Sequence, residues 1–283
     1  MMAEASVRGV TLNYEVIGGS GPWIALTPGS RRSYAELIPI ATQLAQGGFR
    51  VLLHDRRNCG ASDVAFAASA SEYEIWADDL HELGQQLGAL PLYVGGSSAG
   101  ARLAMLFALR HPDALRGLLL WRVTGGQHAA QSLAESYYGA FVKAARKGGM
   151  EAVAASEHFS ACIKARPANE AKIRAMDVDE FVRVMEVWQD HFIRAANMPM
   201  IGATEEQLRA MTVPVCVIAG NDVIHMPATA RRLAALVPGC ELHEDVVSRR
   251  DDSALLEEWD RDEWKAAEPR MLEIFQDFIA RRH

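Results

Sequence analysis

Leu92-Tyr93-Val94-Gly95-Gly96-Ser97-Ser98-Ala99-Gly100-Ala101-Arg102-Leu103 passes from a β-forming apolar run into a helix-forming run through an unbroken series of small residues. Within it, Gly96-x-Ser98-x-Gly100 has the spacing of a sharp strand–turn–helix junction with a serine at its apex. Small flanking residues let the strand and the helix approach closely, and the turn lifts the serine hydroxyl off the sheet. The amides of the helix N-terminus then point at any negative charge that develops there. Five small residues are a weak pattern alone; the strand before them and the helix after them give it weight.

The same β-then-helix rhythm extends in both directions. Upstream, Thr11–Val16 alternates as an exposed strand, and Gly18-Gly19-Ser20-Gly21-Pro22 is a turn cluster. Trp23–Leu26 and Val51–His54 are short apolar runs. Between them Tyr34–Ala45 carries helical spacing, as does Glu72–Leu87 through Ile75, Leu80, Leu83 and Leu87. Downstream, Leu118–Trp121 is a strand. From His128 to Ala203 the strand signal stops, and Ala140–Ala145, Ile173–Met176 and Phe181–Ala196 read as helices. The rhythm then resumes with Val213–Ala219, Ala228–Leu236, Glu241–His243 and a final helix over Met271–Ala280. The expected architecture is α/β, a mostly parallel sheet with helices on both faces. Residues 1–124 and 204–283 would form the core, and 125–203 a helical cap inserted into it. Tyr137, Tyr138, Phe141, Met185, Trp188 and Phe192 fall at helical spacings that suit a packed cap interior.

Length and charge narrow the function. A chain of 283 residues can bury roughly three-quarters of its unfolded surface, so its core needs neither metal nor disulfide. Lysine and arginine number 29 against 36 acidic residues, a net charge of −7, which argues against general nucleic-acid binding. No secretory signal is expected at Met1–Gly9, and no apolar run is long enough to span a membrane. Cys59, Cys162, Cys216 and Cys240 are widely spaced, as in a cytoplasmic protein with reduced thiols rather than one with a zinc site. The expected partner is a small-molecule substrate, with no metal and no cofactor; a homodimer stays open.

Taken together, these segments resemble the α/β-hydrolase superfamily nearly end to end. Thr27-Pro28-Gly29-Ser30 stands where that family has its oxyanion loop. Asp55-Arg56-Arg57-Asn58-Cys59-Gly60-Ala61-Ser62 is similar to its Asp-x-Arg-x-x-Gly-x-Ser segment. Ala219-Gly220-Asn221-Asp222 is similar to the loop that carries its acid. The resemblance implies Ser98 as nucleophile, Asp222 as acid, and the backbone amides of Ser30 and Ala99 as oxyanion donors. It implies a hydrolase of small esters, lactones, thioesters or activated carbonyl compounds. A C–C hydrolase or lyase, or an impaired hydrolase fold used as a small-molecule binder, are the alternatives.

Two departures matter. The family places its base, often after a glycine, in the loop beyond the last strand, where this chain has Glu241-Leu242-His243-Glu244-Asp245-Val246-Val247-Ser248-Arg249-Arg250-Asp251 and no Gly-His. Only His225, His243 and His283 follow Asp222, so the base is one of these or absent. His225 shares the acid's loop and is the preferred candidate, with an ordinary histidine value of about 6.5. His243 sits within a strand and His283 ends the chain. Arginines are the second departure: Arg31-Arg32, Arg56-Arg57 and Arg122 all follow strand ends, where open α/β sheets bind ligands. Arg31, Arg56 and Arg122 are therefore expected to bind substrate, and a carboxylate-bearing one in particular.

Overall fold

A computed structural model of the chain describes residues 3–67, 69–250 and 253–282. Eight strands form one sheet: β1 (Ala3–Val7), β2 (Val10–Ile17), β3 (Trp23–Thr27), β4 (Arg50–His54), β5 (Leu92–Ser97), β6 (Leu115–Trp121), β7 (Val215–Ile218) and β8 (Glu241–His243). Their order is β1-β2-β4-β3-β5-β6-β7-β8. Strand β2 runs antiparallel to both β1 and β4, and every pairing from β4 to β8 is parallel. The parallel strands read as near-continuous apolar runs because both their faces are covered. Ile24, Leu26, Val51 and Leu53 enter one core, while Ala25, Leu52 and Val94, pointing oppositely, enter the other.

The helices are α1 (Ile38–Gln46), α2 (Glu72–Gln86), α3 (Ala99–Arg110), α4 (Gln127–Ala134), α5 (Ala140–Ala154), α6 (Glu157–Ala165), α7 (Ala168–Arg174), α8 (Val178–Arg194), α9 (Glu205–Arg209), α10 (Pro227–Leu236) and α11 (Arg261–Ala280). Leu44 of α1 and Phe275 and Phe278 of α11 pack on one face of the sheet. Leu80 of α2, Met105 of α3 and Leu233 of α10 pack on the other. A capping box starts α2, where Ser71 Oγ accepts from the Glu74 amide and the Glu74 carboxylate accepts from the Ser71 amide.

Helices α4–α8 are inserted between β6 and β7 and contribute no strand to the sheet. Their interior is aromatic: Phe66 meets Phe181 edge-on at 5.1 Å, and Tyr138 meets Trp188 at 6.0 Å. The Trp188 indole donates to the Ala70 carbonyl at 3.0 Å and ties α8 to the loop before α2. Among the described residues no helix is long and apolar enough to cross a membrane.

Two elements exceed the sequence expectation. Ala3–Val7 holds a single strong β-former, and β1 owes its existence to the β2 ladder rather than to its own residues. Pro269 hides the first half of α11 from the periodicity. The helix starts at Arg261 because Asp260 accepts from the amides of Asp262 and Glu263.

Candidate active site

The β5–α3 junction is a strained turn. Ser98 stands at φ +53°, a left-handed backbone that costs about 1–3 kcal/mol for a residue with a side chain. It is held by its amide donating to Trp121 O at 3.2 Å and by its carbonyl accepting from the Arg102 amide at 3.1 Å. The flanking glycines are a steric requirement. A Cβ on Gly100 would lie 2.0 Å from Thr27 O, and one on Gly96 2.6 Å from the same oxygen. Strand β3 thus runs against the start of α3, which brings the Gly29–Ser30 loop beside Ser98. Ser30 also has a positive φ, +46°, and lines the same cavity as Ser98. Ala99 is the first residue of α3, so its amide has no acceptor within the helix.

The loop after β7 completes the arrangement. It doubles back so tightly that a Cβ on Gly220 would meet His225 O at 2.3 Å. Asp222 Oδ1 accepts from the amides of Ile224 and His225, each at 3.0 Å. His225 Nδ1 lies 2.8 Å from both Asp222 carboxylate oxygens, and its Nε2 lies 2.9 Å from Ser98 Oγ. A proton on Nδ1 donates to the carboxylate and leaves the Nε2 lone pair to accept from the serine hydroxyl. The loop is braced from outside, as the Val223 amide donates to Leu256 O at 2.9 Å and Asn221 Nδ2 donates to Glu263 Oε2 at 2.9 Å.

Sequence reasoning thus names three residues that the fold brings together, with Asp222 and His225 three residues apart on one loop. His243 instead pairs with Ile218 in β8 and does not line the cavity, and His283 lies outside the described residues.

Electrostatics in this pocket run against the expectation for an ordinary histidine. Burial foremost, and then the Arg122 cation, push His225 down to about 4 despite the opposing pull of Asp222. Burial would raise the Asp222 carboxyl, but the hydrogen bonds and charge of His225, with Arg122, hold it below its usual value.

The arginines divide. Arg122, at φ +54° on the tip of β6, lines the cavity. Its Nη2 is 3.3 Å from His225 Nδ1 and 4.0 Å from Asp222 Oδ2, and its guanidinium lies 4.0 Å from the Trp259 ring centre. Arg31 and Arg56, expected from the sequence to bind substrate, do not line that cavity. Arg31 is spent on a bidentate pair with Glu72, at 2.8 and 2.6 Å, and Glu72 also accepts from Asn58 and Tyr138. Arg56 is buried, donates to Arg32 O at 3.2 Å and stacks 4.7 Å from the Trp76 ring centre. The Asp55 segment is likewise structural: its carboxylate accepts from Asn13 Nδ2 and from the amides of Tyr34 and Ala61.

The cavity above Ser98 has a volume of about 460 Å³. Among the described residues, the inserted segment gives it Leu133 of α4 and Tyr137 between α4 and α5. Its far wall is Trp259 with Arg261, Trp264 and Lys265 at the start of α11. None of these four carries a sequence signal, since their proximity to Ser98 depends wholly on how the last helix packs.

Fold and site together define an α/β hydrolase with a serine–histidine–aspartate line. The family model of serine aminopeptidase, S33, matches residues 22–245, and the chain belongs to that family. It is 34% identical over 107 residues to the uncharacterized hydrolase YraK of Bacillus subtilis, covering 38% of this chain and 39% of that protein. It is 33% identical over 144 residues to the sn-1-specific diacylglycerol lipase ABHD11 of Mus musculus, covering 50% of this chain and 45% of that one. Each match thus spans less than half of the curated relative. Among solved structures, the enol-lactonase from Burkholderia xenovorans LB400 superposes with a TM-score of 0.63 at 23% identity, over 98% of this chain and 100% of that one. Likeness at that identity concerns the fold.

Proposed function

We propose that the chain is a serine hydrolase that cleaves a small ester, lactone, thioester or activated carbonyl substrate through a Ser98 acyl-enzyme, with α4–α8 as its cap. The observation that carries this reading is the unbroken line from Asp222 through His225 to Ser98 Oγ, at 2.8 and 2.9 Å. A buried serine strained onto a left-handed backbone and in contact with an oriented imidazole favours this reading over that of a small-molecule binder. The names of the lipase and the lactonase, both of which open acyl–oxygen bonds, support the ester and lactone classes.

In this mechanism Ser98 Oγ bonds to the substrate carbonyl carbon while its proton passes to His225 Nε2. Asp222 orients the imidazole and stabilises the imidazolium. The carbonyl electron pair moves onto oxygen, where the Ser30 and Ala99 amides receive it. As the tetrahedral adduct collapses, the leaving alkoxide takes the proton from Nε2. Water then repeats the sequence on the acyl-enzyme, giving its proton to His225 and releasing the acid with Ser98 restored. A fluorophosphonate probe tests this reading: it should label the wild-type protein on Ser98 and fail to label Ser98→Ala. An unlabelled wild-type protein overturns it.

A further inference from the structure

Arg56, Arg102 and Arg122 are all buried with unpartnered guanidinium nitrogens, but among the described residues Arg122 is the buried arginine that lines the Ser98 cavity. Arg31 pairs with Glu72, Arg57 with Asp79 and Arg32 with Glu36. Arg122 is buried and its Nε has no partner. Its Nη2 faces His225 Nδ1 at 3.3 Å, but Nδ1 already donates to Asp222 and so has no lone pair to accept with. Asp222 Oδ2, at 4.0 Å, is beyond hydrogen-bond reach of Arg122 and committed to His225. Trp259 supports the guanidinium face without supplying an acceptor. A cation this buried calls for an acceptor, and the open side available to it is the cavity it shares with Ser98.

We propose that Arg122 binds a carboxylate carried by the substrate, and that this pairing itself turns on the base that activates Ser98. The inference rests on Ser98 being the nucleophile. Where no substrate carboxylate is bound, a cation 3.3 Å from the imidazole opposes the imidazolium that must form when Ser98 gives up its proton. A substrate carboxylate cancels that charge. The groups that face His225 are Asp222 on its own loop, Ser98 at the turn before α3, Arg102 on α3, and Arg122 just after β6. Arg102 also disfavours the imidazolium, so Asp222 is the one anion in the set. Around Arg122 stand Arg32, Glu36 and Tyr137, and the same cavity is lined by Arg261, Lys265 and Glu268 of α11. A neutral ester thus meets a weak base, and a hemi-ester of a short dicarboxylic acid meets a stronger one.

Two measurements test this. In Ser98→Ala, where no acyl chemistry occurs, saturating glutarate should move the His225 titration followed by NMR upward by about 1–3 pH units, and butyramide should not. Arg122→Gln added to Ser98→Ala should raise the His225 midpoint without ligand and abolish the glutarate response. In the active enzyme, p-nitrophenyl hemiglutarate should exceed p-nitrophenyl butyrate in kcat/KM by about 10- to 100-fold. Its kcat should also begin to fall at a higher pH than the kcat for butyrate. Glutarate that leaves the His225 midpoint unmoved, or a butyrate ester turned over as fast as the hemiglutarate, would overturn the proposal. If Arg122→Gln does not fold, the glutarate titration in Ser98→Ala decides alone. The NMR titration needs no active serine, so failure of the hydrolase reading shows separately, as an unlabelled Ser98.

Discussion

Replacing His225 by alanine separates chemistry from stability at this site. The imidazole makes one hydrogen bond to Ser98 Oγ at 2.9 Å and holds the Asp222 carboxylate at 2.8 Å. Losing the base should reduce turnover by about 10²–10⁴-fold, or about 2.7–5.4 kcal/mol at 1.36 kcal/mol per tenfold. The fold should suffer far less. Asp222 Oδ1 keeps both its backbone donors at 3.0 Å, because the residue 225 amide survives the substitution. One charge-assisted hydrogen bond is lost, worth about 1.5–3 kcal/mol, which lowers Tm by about 3–12 °C in a chain of this size. The assay is steady-state hydrolysis of p-nitrophenyl butyrate beside a thermal melt of the same preparation, with added imidazole to occupy the vacated volume. Partial rescue by imidazole is expected. His225→Ala turnover within threefold of wild type would refute the assignment, and so would loss of activity in His243→Ala alone.

Further outcomes follow from the same geometry. Since burial and Arg122 push His225 down to about 4, kcat/KM for a neutral ester should hold its plateau below pH 6 and fall tenfold per pH unit only once His225 protonates. A pH profile centred on the ordinary histidine value of about 6.5 would contradict this. In Gly100→Ala the new methyl would sit 2.0 Å from Thr27 O, a backbone atom that no rotamer change can move. A destabilisation of about 1–3 kcal/mol is expected by urea unfolding, with turnover down about 10²-fold as the oxyanion loop shifts from Ser98. Glu72→Gln should leave the Arg31 cation buried without its anion and cost about 3–5 kcal/mol, read as a lower urea midpoint at constant slope.

What the sequence determined by itself is what local sterics and periodicity dictate. The alternation of apolar runs with helical spacings requires a covered parallel sheet, and Gly96-x-Ser98-x-Gly100 requires a turn that only glycines tolerate beside β3. The pairing of Asp222 with His225 was legible for the same reason, since both lie on one loop and need only that loop to meet. The arginines were not legible. Arg31, Arg56 and Arg122 all follow strand ends and read alike. Yet Arg31 finds its anion 41 residues away on α2, and Arg122 meets His225 from 103 residues away and Trp259 from beyond β8. Charge pairing across such separations depends on how helices and loops settle over the sheet. A buried cation takes whichever partner the packing brings within a few ångströms, and sequence position alone carries no record of that distance. Tertiary structure therefore decided which of these three arginines faces the cavity, and that burial and Arg122 together lower the proton affinity of His225.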